Sequence, residues 1–234
     1  MIGVIIAAGF GSRLWSVSSK IPKTLLPFGG GTILSTIITQ LRDAGVDRLV
    51  IVVGYNQEYI REYLSTLDTE TPIEIIENLE WERGNTISVY KAKEYVNNES
   101  FILSMSDHLV CVSALERVVG YSEDDNLLMV DPYIQENFDL DDATKVQVEN
   151  GFITSIGKKI DHYNSLDCGI FRLNSAFFDA VEKAVESGDE SISGAIMQLV
   201  NNRCMKAITL DAPNQWIDVD TPEAYEHALN TFKL

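Results

Sequence analysis

A glycine-rich turn near the start of the chain is the strongest chemical signal in the sequence. Gly9-Phe10-Gly11-Ser12-Arg13 directly follows Ile2–Ala7, whose near-continuous apolar character predicts a strand covered on both faces. Two glycines permit a tight turn and close approach of backbone amides to phosphate oxygens. Arg13 adds a planar cation, and Lys23 supplies a second cation ten residues later. This combination favours a polyphosphate site over a structural turn with solvent-facing cations.

The turn differs from two common phosphate-binding motifs. Leu14 stands where a dinucleotide fingerprint has its third glycine, and the Gly-Lys-Ser/Thr of a P-loop is missing. The sequence also lacks a recognisable catalytic constellation for hydride transfer. A nicotinamide-dependent oxidoreductase is therefore the weaker alternative.

Three acids predict a metal site. Asp107 ends an apolar strand, where packing gives no reason for an acid, and Asp218 and Asp220 are two positions apart. In a strand that spacing puts both side chains on one face, where a cation would relieve their repulsion. Carboxylates suit Mg²⁺. A single acid could equally cap a helix, but the set of three favours a metal.

The adjacent residues Ser106-Asp107-His108 suggest a hydrolase triad at first sight. Neighbours in a strand point to opposite faces, so their adjacency argues against a triad. The Gly-x-Ser-x-Gly turn of many hydrolases is also missing. We expect His108 to support the site or the fold.

Alternating strand and helix patterns must position these groups. They predict an α/β, Rossmann-like wound, mostly parallel sheet with helices on both faces. Ligands of such sheets bind beyond the carboxyl ends of the strands, which places the turn and the acids on one rim. Alternation around Asn150-Gly151 adds a small antiparallel hairpin. The other predicted strands are Arg48–Val53, Ile73–Ile76, Phe101–Met105, Asn126–Val130, Leu166–Leu173, Lys206–Leu210 and Trp216–Val219. The predicted helices are Thr32–Ala44, Asn56–Ser65, Thr86–Tyr95, Ser113–Val119, Ser175–Glu186, Ser191–Asn201 and one beginning at Thr221-Pro222-Glu223.

Composition narrows the classes of partner. The 234 residues carry 35 acids against 18 bases, a formal charge of −17, which argues against nucleic acid and anionic lipid as ligands. Three scattered cysteines indicate neither zinc nor disulfides, and a reduced, cytoplasmic location is expected. The apolar N-terminus is too short for a membrane span or a signal peptide.

Four segments together resemble a known family. Ala7–Leu14, Pro22–Pro27, Asp107 and Trp216–Thr221 follow the order seen in nucleotidyltransferases that activate sugar phosphates and related phosphoesters. The resemblance covers nearly the whole chain. Further segments look most like the CTP:inositol-1-phosphate cytidylyltransferases, and phosphocholine and phosphonate cytidylyltransferases are similar. These segments are Arg83–Ser88, Ser106–His108, Ala143–Val146 and Asp167–Phe171. Cys168 departs from the threonine expected there.

The resemblance implies a nucleotide-diphospho-sugar transferase-like fold and one catalytic domain over residues 1–234. It implies transfer of CMP from CTP to a small phosphorylated acceptor, best inositol 1-phosphate, with Mg²⁺ as cofactor and pyrophosphate released. Phosphocholine, phosphonates, and sugar 1-phosphates with UTP, dTTP or GTP stay open, as does a homodimer. Because the chain stops after the last predicted helix, we expect the stand-alone catalytic form. A non-catalytic nucleotide sensor is the alternative from another class.

The resemblance also implies residue roles. Arg13 and Lys23 would be catalytic, and Asp107, Asp218 and Asp220 would hold the metal. The acceptor would bind Lys145 and Asp167, although Lys145 could be an ordinary hairpin lysine. Asn85 and Ser88 would read the base, although Asn85 could merely cap its helix. The full set of nucleotide-binding residues is Ala7, Ala8, Gly9, Gly11, Ser12, Asn85, Ser88 and Asp107.

Overall fold

One nine-stranded sheet and two two-stranded ladders occupy the described residues, 1–18, 21–134, 140–213 and 215–233, of the computed structural model. Residues 19 and 20 of the long predicted loop lie outside these ranges, as does residue 234. The strands are β1 (Ile2–Ala7), β2 (Pro27–Phe28), β3 (Gly31–Thr32), β4 (Arg48–Val53), β5 (Ile73–Glu77), β6 (Phe101–Met105), β7 (His108–Val110), β8 (Asn126–Asp131), β9 (Lys145–Glu149), β10 (Phe152–Gly157), β11 (Ser165–Leu173), β12 (Met205–Thr209) and β13 (Trp216–Asp218).

The large sheet is mostly parallel, as predicted. Its order is β5-β4-β1-β6-β11-β8-β12-β10-β9. Strands β5, β4, β1 and β6 pair in parallel, and so do β8 and β12. Strands β11 and β10 run antiparallel to their neighbours. The carboxyl ends of β1 and β6 therefore meet at the same edge, which carries both the glycine turn and Asp107.

Helices cover both faces of the sheet. Buried residues of α2, α3, α6 and α9 join one core cluster, and those of α4, α5, α7 and α8 join the other. Strand β1 alternates between the two, since Ile5 packs in the first cluster and Val4 in the second. None of the helices in the described ranges has the length and apolar character of a membrane span. The helices are α1 (Trp15–Ser18), α2 (Ile33–Asp43), α3 (Gln57–Thr66), α4 (Asn85–Lys91), α5 (Lys93–Val96), α6 (Val112–Val119), α7 (Ala176–Glu186), α8 (Ile192–Asn201) and α9 (Pro222–Thr231).

The hairpin forms where the sequence predicts it. Asn150 and Gly151 both have positive φ, 52° and 80°, between β9 and β10. That is the backbone of a two-residue turn whose twist matches the strands. The hairpin lies at the edge of the large sheet and contributes the last residues of β10 to the cavity described below.

The structure corrects three local predictions. The helix predicted over Thr86–Tyr95 is two helices, because the backbone around Ala92 makes tighter i,i−3 hydrogen bonds. The long loop before Gly31 contains 3₁₀ turns at Ser12–Leu14 and Lys23–Leu25 and a short ladder of β2 and β3. The strand predicted over Trp216–Val219 ends at Asp218, so Asp220 lies beyond it.

The ladder of β7 and β13 positions the site. These strands pair antiparallel, with Asp218 opposite His108. The backbone N–H of Val219 also donates to the Asp107 carbonyl at 2.9 Å. Two segments more than a hundred residues apart in sequence are thereby held side by side at the end of β6.

Candidate active site

A cavity of about 560 Å³ opens at the carboxyl ends of the strands. We call one wall the charged side, formed by Arg13, Lys23, Asp107, Asp218 and Asp220. A second group of lining residues, which we call the polar side, consists of Asp167, Asp189, Ser191 and Ser193. The structure thus brings together the cations and acids that the sequence singled out, and Asp167 lines the same cavity.

The glycine turn lies beside the charged side and exposes its backbone. Gly11 has φ +60°, and a Cβ there would come within 3.3 Å of Lys23 Cγ. A glycine at this position therefore lets the Lys23 stem pack against the turn. Gly9 is exposed, and a Cβ there would meet nothing within 4 Å. Ala7 and Ala8 are buried at the end of β1, and their contact with the nucleotide stays a prediction.

An alternating chain of charges crosses the charged side. Lys23 Nζ contacts Asp107 Oδ2 and lies 2.6 Å from Asp220 Oδ1. Arg13 lies 2.5 Å from Asp220 Oδ2 and also contacts Asp142. Burial disfavours the charged amine of Lys23, but Asp107 and Asp220 outweigh it and raise its pKa. Both cations are therefore firmly charged and held by carboxylates.

Asp107, His108 and Asp218 form the cluster best suited to a metal. One potential ligand atom from each lies within 4.8 Å of the others. Oδ1 of Asp107 and Oδ1 of Asp218 are buried and make no hydrogen bond within the described part of the chain. Burial, reinforced by Asp107, raises the pKa of Asp218 to about 6. Two neighbouring acids, each with one buried oxygen that has no hydrogen-bond partner, are a donor set that fits a divalent cation.

Asp220 occupies a different place from the other two predicted metal ligands. Its two oxygens face Lys23 and Arg13, and the cluster that could hold a metal has His108 as its third member. The role of Asp220 as a ligand stays a prediction. Because β13 ends at Asp218, the side chain of Asp220 does not follow the alternation of that strand.

His108 is held firmly beside the acids. Its Nδ1 lies 2.9 Å from the Cys168 carbonyl, and its ring stacks on Trp216 at 5.5 Å between centroids and 25° between planes. Gly169, at φ +71°, passes so close that a Cβ would overlap the imidazole. His108 can lie beside the Asp107 carboxylate although the two residues are adjacent in sequence, because the chain turns between β6 and β7.

The residues expected to recognise the nucleotide base form hydrogen bonds within the protein. Asn85 Oδ1 accepts the Ile192 N–H at 3.0 Å, so it connects the start of α4 to the start of α8. It makes no cap to its own helix, whose N-cap is Gly84. Ser88 is buried, and its hydroxyl accepts a hydrogen bond from Asn78 Nδ2 at 2.9 Å. Asn85 lines the cavity, and its nucleotide contact stays a prediction.

The two residues expected at the acceptor differ in placement. Lys145 Nζ donates to the carbonyls of Leu140 at 2.9 Å and Lys158 at 3.1 Å, and it is absent from the described residues that line the cavity. Asp167 lines the cavity and accepts the Gly169 N–H at 2.7 Å. Burial raises the pKa of Asp167 to about 6.

Other lining residues gave no signal in the sequence. Asp142 and Lys158 pair at 2.6 Å near Arg13. Asp189 accepts from the backbone and hydroxyl of Ser191 just before α8. They come from loops that only the tertiary fold brings to the cavity, so no local spacing announces them.

Comparison with known proteins identifies the family. A sequence model described as "Nucleotidyl transferase" matches residues 2–233. The chain belongs to the nucleotidyl transferase family. Among nucleotidyl transferases, it is 34% identical to the "Bifunctional IPC transferase and DIPP synthase" of Aquifex aeolicus and 33% identical to that of Thermococcus kodakarensis. Each match covers 96% of this chain but only 50% and 49% of the relative, so the chain spans about half their length.

Two solved structures of related enzymes share the fold of this nucleotidyl transferase chain. The inositol-1-phosphate CTP transferase from T. maritima superposes with a TM-score of 0.84 and 28% identity, over 95% of this chain and 90% of that one. A UDP-glucose pyrophosphorylase complexed with UDP-glucose gives 0.82 at 17% identity, over 98% and 97%, which speaks for the fold alone. The predicted nucleotide-diphospho-sugar transferase-like fold is confirmed.

Proposed function

We propose that this chain transfers CMP from CTP to a phosphomonoester, best inositol 1-phosphate, and releases pyrophosphate. The observation that carries the proposal is the convergence of Arg13, Lys23, Asp107 and Asp218 on one wall of the cavity. Relatives named IPC transferase and a structural neighbour named inositol-1-phosphate CTP transferase support the choice of nucleotide and acceptor. We treat residues 1–234 as one catalytic domain, since a single sheet runs through it.

The reaction needs no general base. An oxygen of the acceptor phosphate attacks the α-phosphorus of CTP, a new P–O bond forms, and the bond to the bridging oxygen of the β-phosphate breaks. A phosphomonoester has a second pKa of about 6, so near neutral pH it attacks as a dianion. The work of the protein is to position two anions and to neutralise the charge between them.

The cations of the charged side perform that work. Backbone amides of Gly9–Ser12 cradle the triphosphate, and Arg13 holds the departing pyrophosphate. Lys23 lies between the α-phosphate and the attacking phosphate. Arg13 and Lys23 pair with carboxylates, chiefly Asp220. Phosphate oxygens replace these partners on binding, so the cations are already placed and charged before substrate arrives.

A divalent cation, for which we propose Mg²⁺, fits the unpaired oxygens of Asp107 and Asp218. The role of Asp220 as a further ligand stays a prediction. When bound, the ion would supply positive charge that offsets the negative charge of the phosphates. The two aspartates hold this charge next to Lys23, whose contact with Asp107 keeps the pKa of that carboxyl low.

The polar side suits an acceptor rich in hydroxyl groups. Asp167, Asp189, Ser191 and Ser193 present carboxylates and hydroxyls, which accept and donate hydrogen bonds to a polyol. A choline headgroup would instead call for a cage of aromatic faces. Trp216 is an aromatic residue of the cavity, but its ring is already stacked on His108.

The test is pyrophosphate release by the purified chain with CTP, Mg²⁺ and inositol 1-phosphate. We expect release that requires both substrates and stops when EDTA removes the metal. Glycerol phosphate, phosphocholine and hexose 1-phosphates serve as competing acceptors. Binding of CTP without turnover on any of them would overturn the proposal and favour a nucleotide sensor.

A further inference from the structure

The ring of His108 is oriented from three sides in a way that the proposed reaction does not explain. Nδ1 meets the Cys168 carbonyl at 2.9 Å, and Trp216 stacks on one face of the ring. The backbone of Gly169 closes the space beside Nδ1, where a side chain would collide. A histidine that only filled space would not need its rotation fixed so closely.

The contact with Cys168 determines which nitrogen carries the proton in the neutral ring. A backbone carbonyl can only accept a hydrogen bond, so Nδ1 must donate. The neutral imidazole then presents the lone pair of Nε2. Histidines that bind metals commonly donate their other ring N–H to a backbone carbonyl in this way.

Nε2 lies close to one oxygen of each acid, and the oxygen of Asp107 is the buried one that has no hydrogen-bond partner in the described part of the chain. Nε2 lies 3.7 Å from Asp107 Oδ1 and 3.5 Å from Asp218 Oδ2. Both distances exceed the ~3.2 Å of an ordinary N–H···O hydrogen bond. They are near the ~3 Å edge between neighbouring ligands around a small divalent ion, whose metal–oxygen bonds are about 2.1 Å. The three atoms are spaced for a shared cation.

We propose that Nε2 of His108 is the third protein ligand of the divalent cation held by Asp107 and Asp218. This inference rests on the proposed metal-assisted transfer and adds a specificity to it. A nitrogen ligand favours borderline cations such as Co²⁺ over the oxygen-preferring Mg²⁺. The nitrogen ligand therefore lets the site bind borderline cations as well as the Mg²⁺ of the proposed reaction, whereas two carboxylates alone would favour hard cations.

The competing interpretation is an imidazolium ion that pairs with both acids and takes the place of the metal. The two interpretations differ in one observable, direct bonding of nitrogen to the metal. Pulsed EPR of the whole chain loaded with Mn²⁺ reports ¹⁴N coupling only when a nitrogen ligand binds the ion. The spectrum is recorded with and without a non-hydrolysable CTP analogue.

We expect ¹⁴N coupling in the unmodified protein and its loss in His108→Asn. His162→Asn is the matched control, because His162 is exposed and lies outside the residues that line the cavity. Absence of ¹⁴N coupling from the unmodified protein in both samples, whether or not Mn²⁺ binds, would overturn the proposal. The spectrum of the unmodified protein tests the proposal even if the variant fails to fold.

The affinities of Co²⁺ and Mg²⁺, measured by titration calorimetry, give a second readout. We expect His108→Asn to weaken Co²⁺ binding by about tenfold or more while changing Mg²⁺ binding much less. An equal loss for both ions would mean that His108 acts only on the fold. Turnover of CTP in the unmodified protein is assayed separately, so failure of the metal assignment and failure of the transferase proposal are distinguishable.

Discussion

The charged side and the polar side of the cavity are built in different ways. On the charged side, Arg13 and Lys23 contact acids from distant segments, so the side chains neutralise one another across the site. On the polar side, Asp167 and Asp189 accept hydrogen bonds from residues two positions further along. The charged side is therefore a network that substrate must enter by exchanging partners. The polar side is a set of locally fixed groups that keep their positions.

This difference predicts unequal consequences of substitution. Changes on the charged side, or beside it at Asp142 and Gly169, should alter turnover or nucleotide affinity, since they affect the groups that act on phosphate charge. Changes on the polar side should act mainly through stability or through choice of acceptor. The four variants below test that division, beginning with the largest expected effect.

Asp107→Ala should reduce pyrophosphate release by about a thousandfold, the usual scale for loss of a preorganised electrostatic group. The carboxylate contacts Lys23 and leaves one buried oxygen unpaired toward the proposed metal. Initial rates at saturating CTP measure the effect, and circular dichroism checks the fold. Asp43→Ala, which removes an exposed acid paired with its neighbour Arg42, is the control and should keep full activity. Comparable rates in the two variants would remove Asp107 from the mechanism.

Gly169→Ala should be more damaging than Gly151→Ala. Both glycines have positive φ, +71° and +80°, so each alanine carries about 1–2 kcal/mol of backbone strain. Only Gly169 faces the His108 ring, and displacing that ring should cost about 1–3 kcal/mol more. Urea unfolding measures the difference, and turnover should fall in Gly169→Ala alone. Equal losses of stability and activity would show that the position of His108 is unimportant.

Asp142→Asn should lower the KM for CTP by about two- to fivefold, the scale of an exposed ion pair. Asp142 pairs with both Arg13 and Lys158, so its charge competes with phosphate for the arginine. The turnover number should stay unchanged, since Asp142 would be released before reaction. Asp211→Asn, which breaks an exposed pair with Arg117, should leave the KM as it is. A raised KM in Asp142→Asn would mean that Asp142 aids binding.

Asp167→Asn should become relatively more stable than the unmodified protein as pH rises. Burial raises the folded pKa of Asp167 to about 6, above its unfolded value, so the fold favours the neutral acid. Its contribution is present at low pH and is lost between about pH 4 and 6, by about 1–3 kcal/mol. Urea unfolding of both proteins at pH 4.5 and pH 7.5 measures the change. A stability difference independent of pH would contradict the assignment.

The parts of the cavity also differ in how much of each could be predicted from the sequence. Strands β1, β4 and β6 have their predicted bounds, because continuous apolar runs end at a turn or at an acid. Arg13, Lys23 and the three acids were predicted to meet, and they line one cavity. Gly11 of the glycine turn lies against the Lys23 side chain. Chemistry that depends on a short motif at the end of a strand can be predicted from the sequence alone.

The remainder depends on packing between distant segments. Asp142 and Lys158 reach the cavity from loops beside the hairpin, and the role of His108 depends on β7 pairing with β13. Lys145, expected at the acceptor, instead donates to backbone carbonyls, which no spacing in the sequence indicates. A three-residue strand such as β7 is too short to leave a periodic pattern.

The central claim is that the charged side activates CTP for attack by a phosphomonoester. Its most direct test crosses CTP, UTP, GTP and dTTP with inositol, glycerol, choline and hexose phosphates, with products followed by ³¹P NMR. Our account predicts that CTP with inositol 1-phosphate gives the fastest appearance of pyrophosphate and of a new diphosphate diester in equal amounts. Absence of a diphosphate diester in every combination, or CMP and pyrophosphate formed without an acceptor, would contradict it.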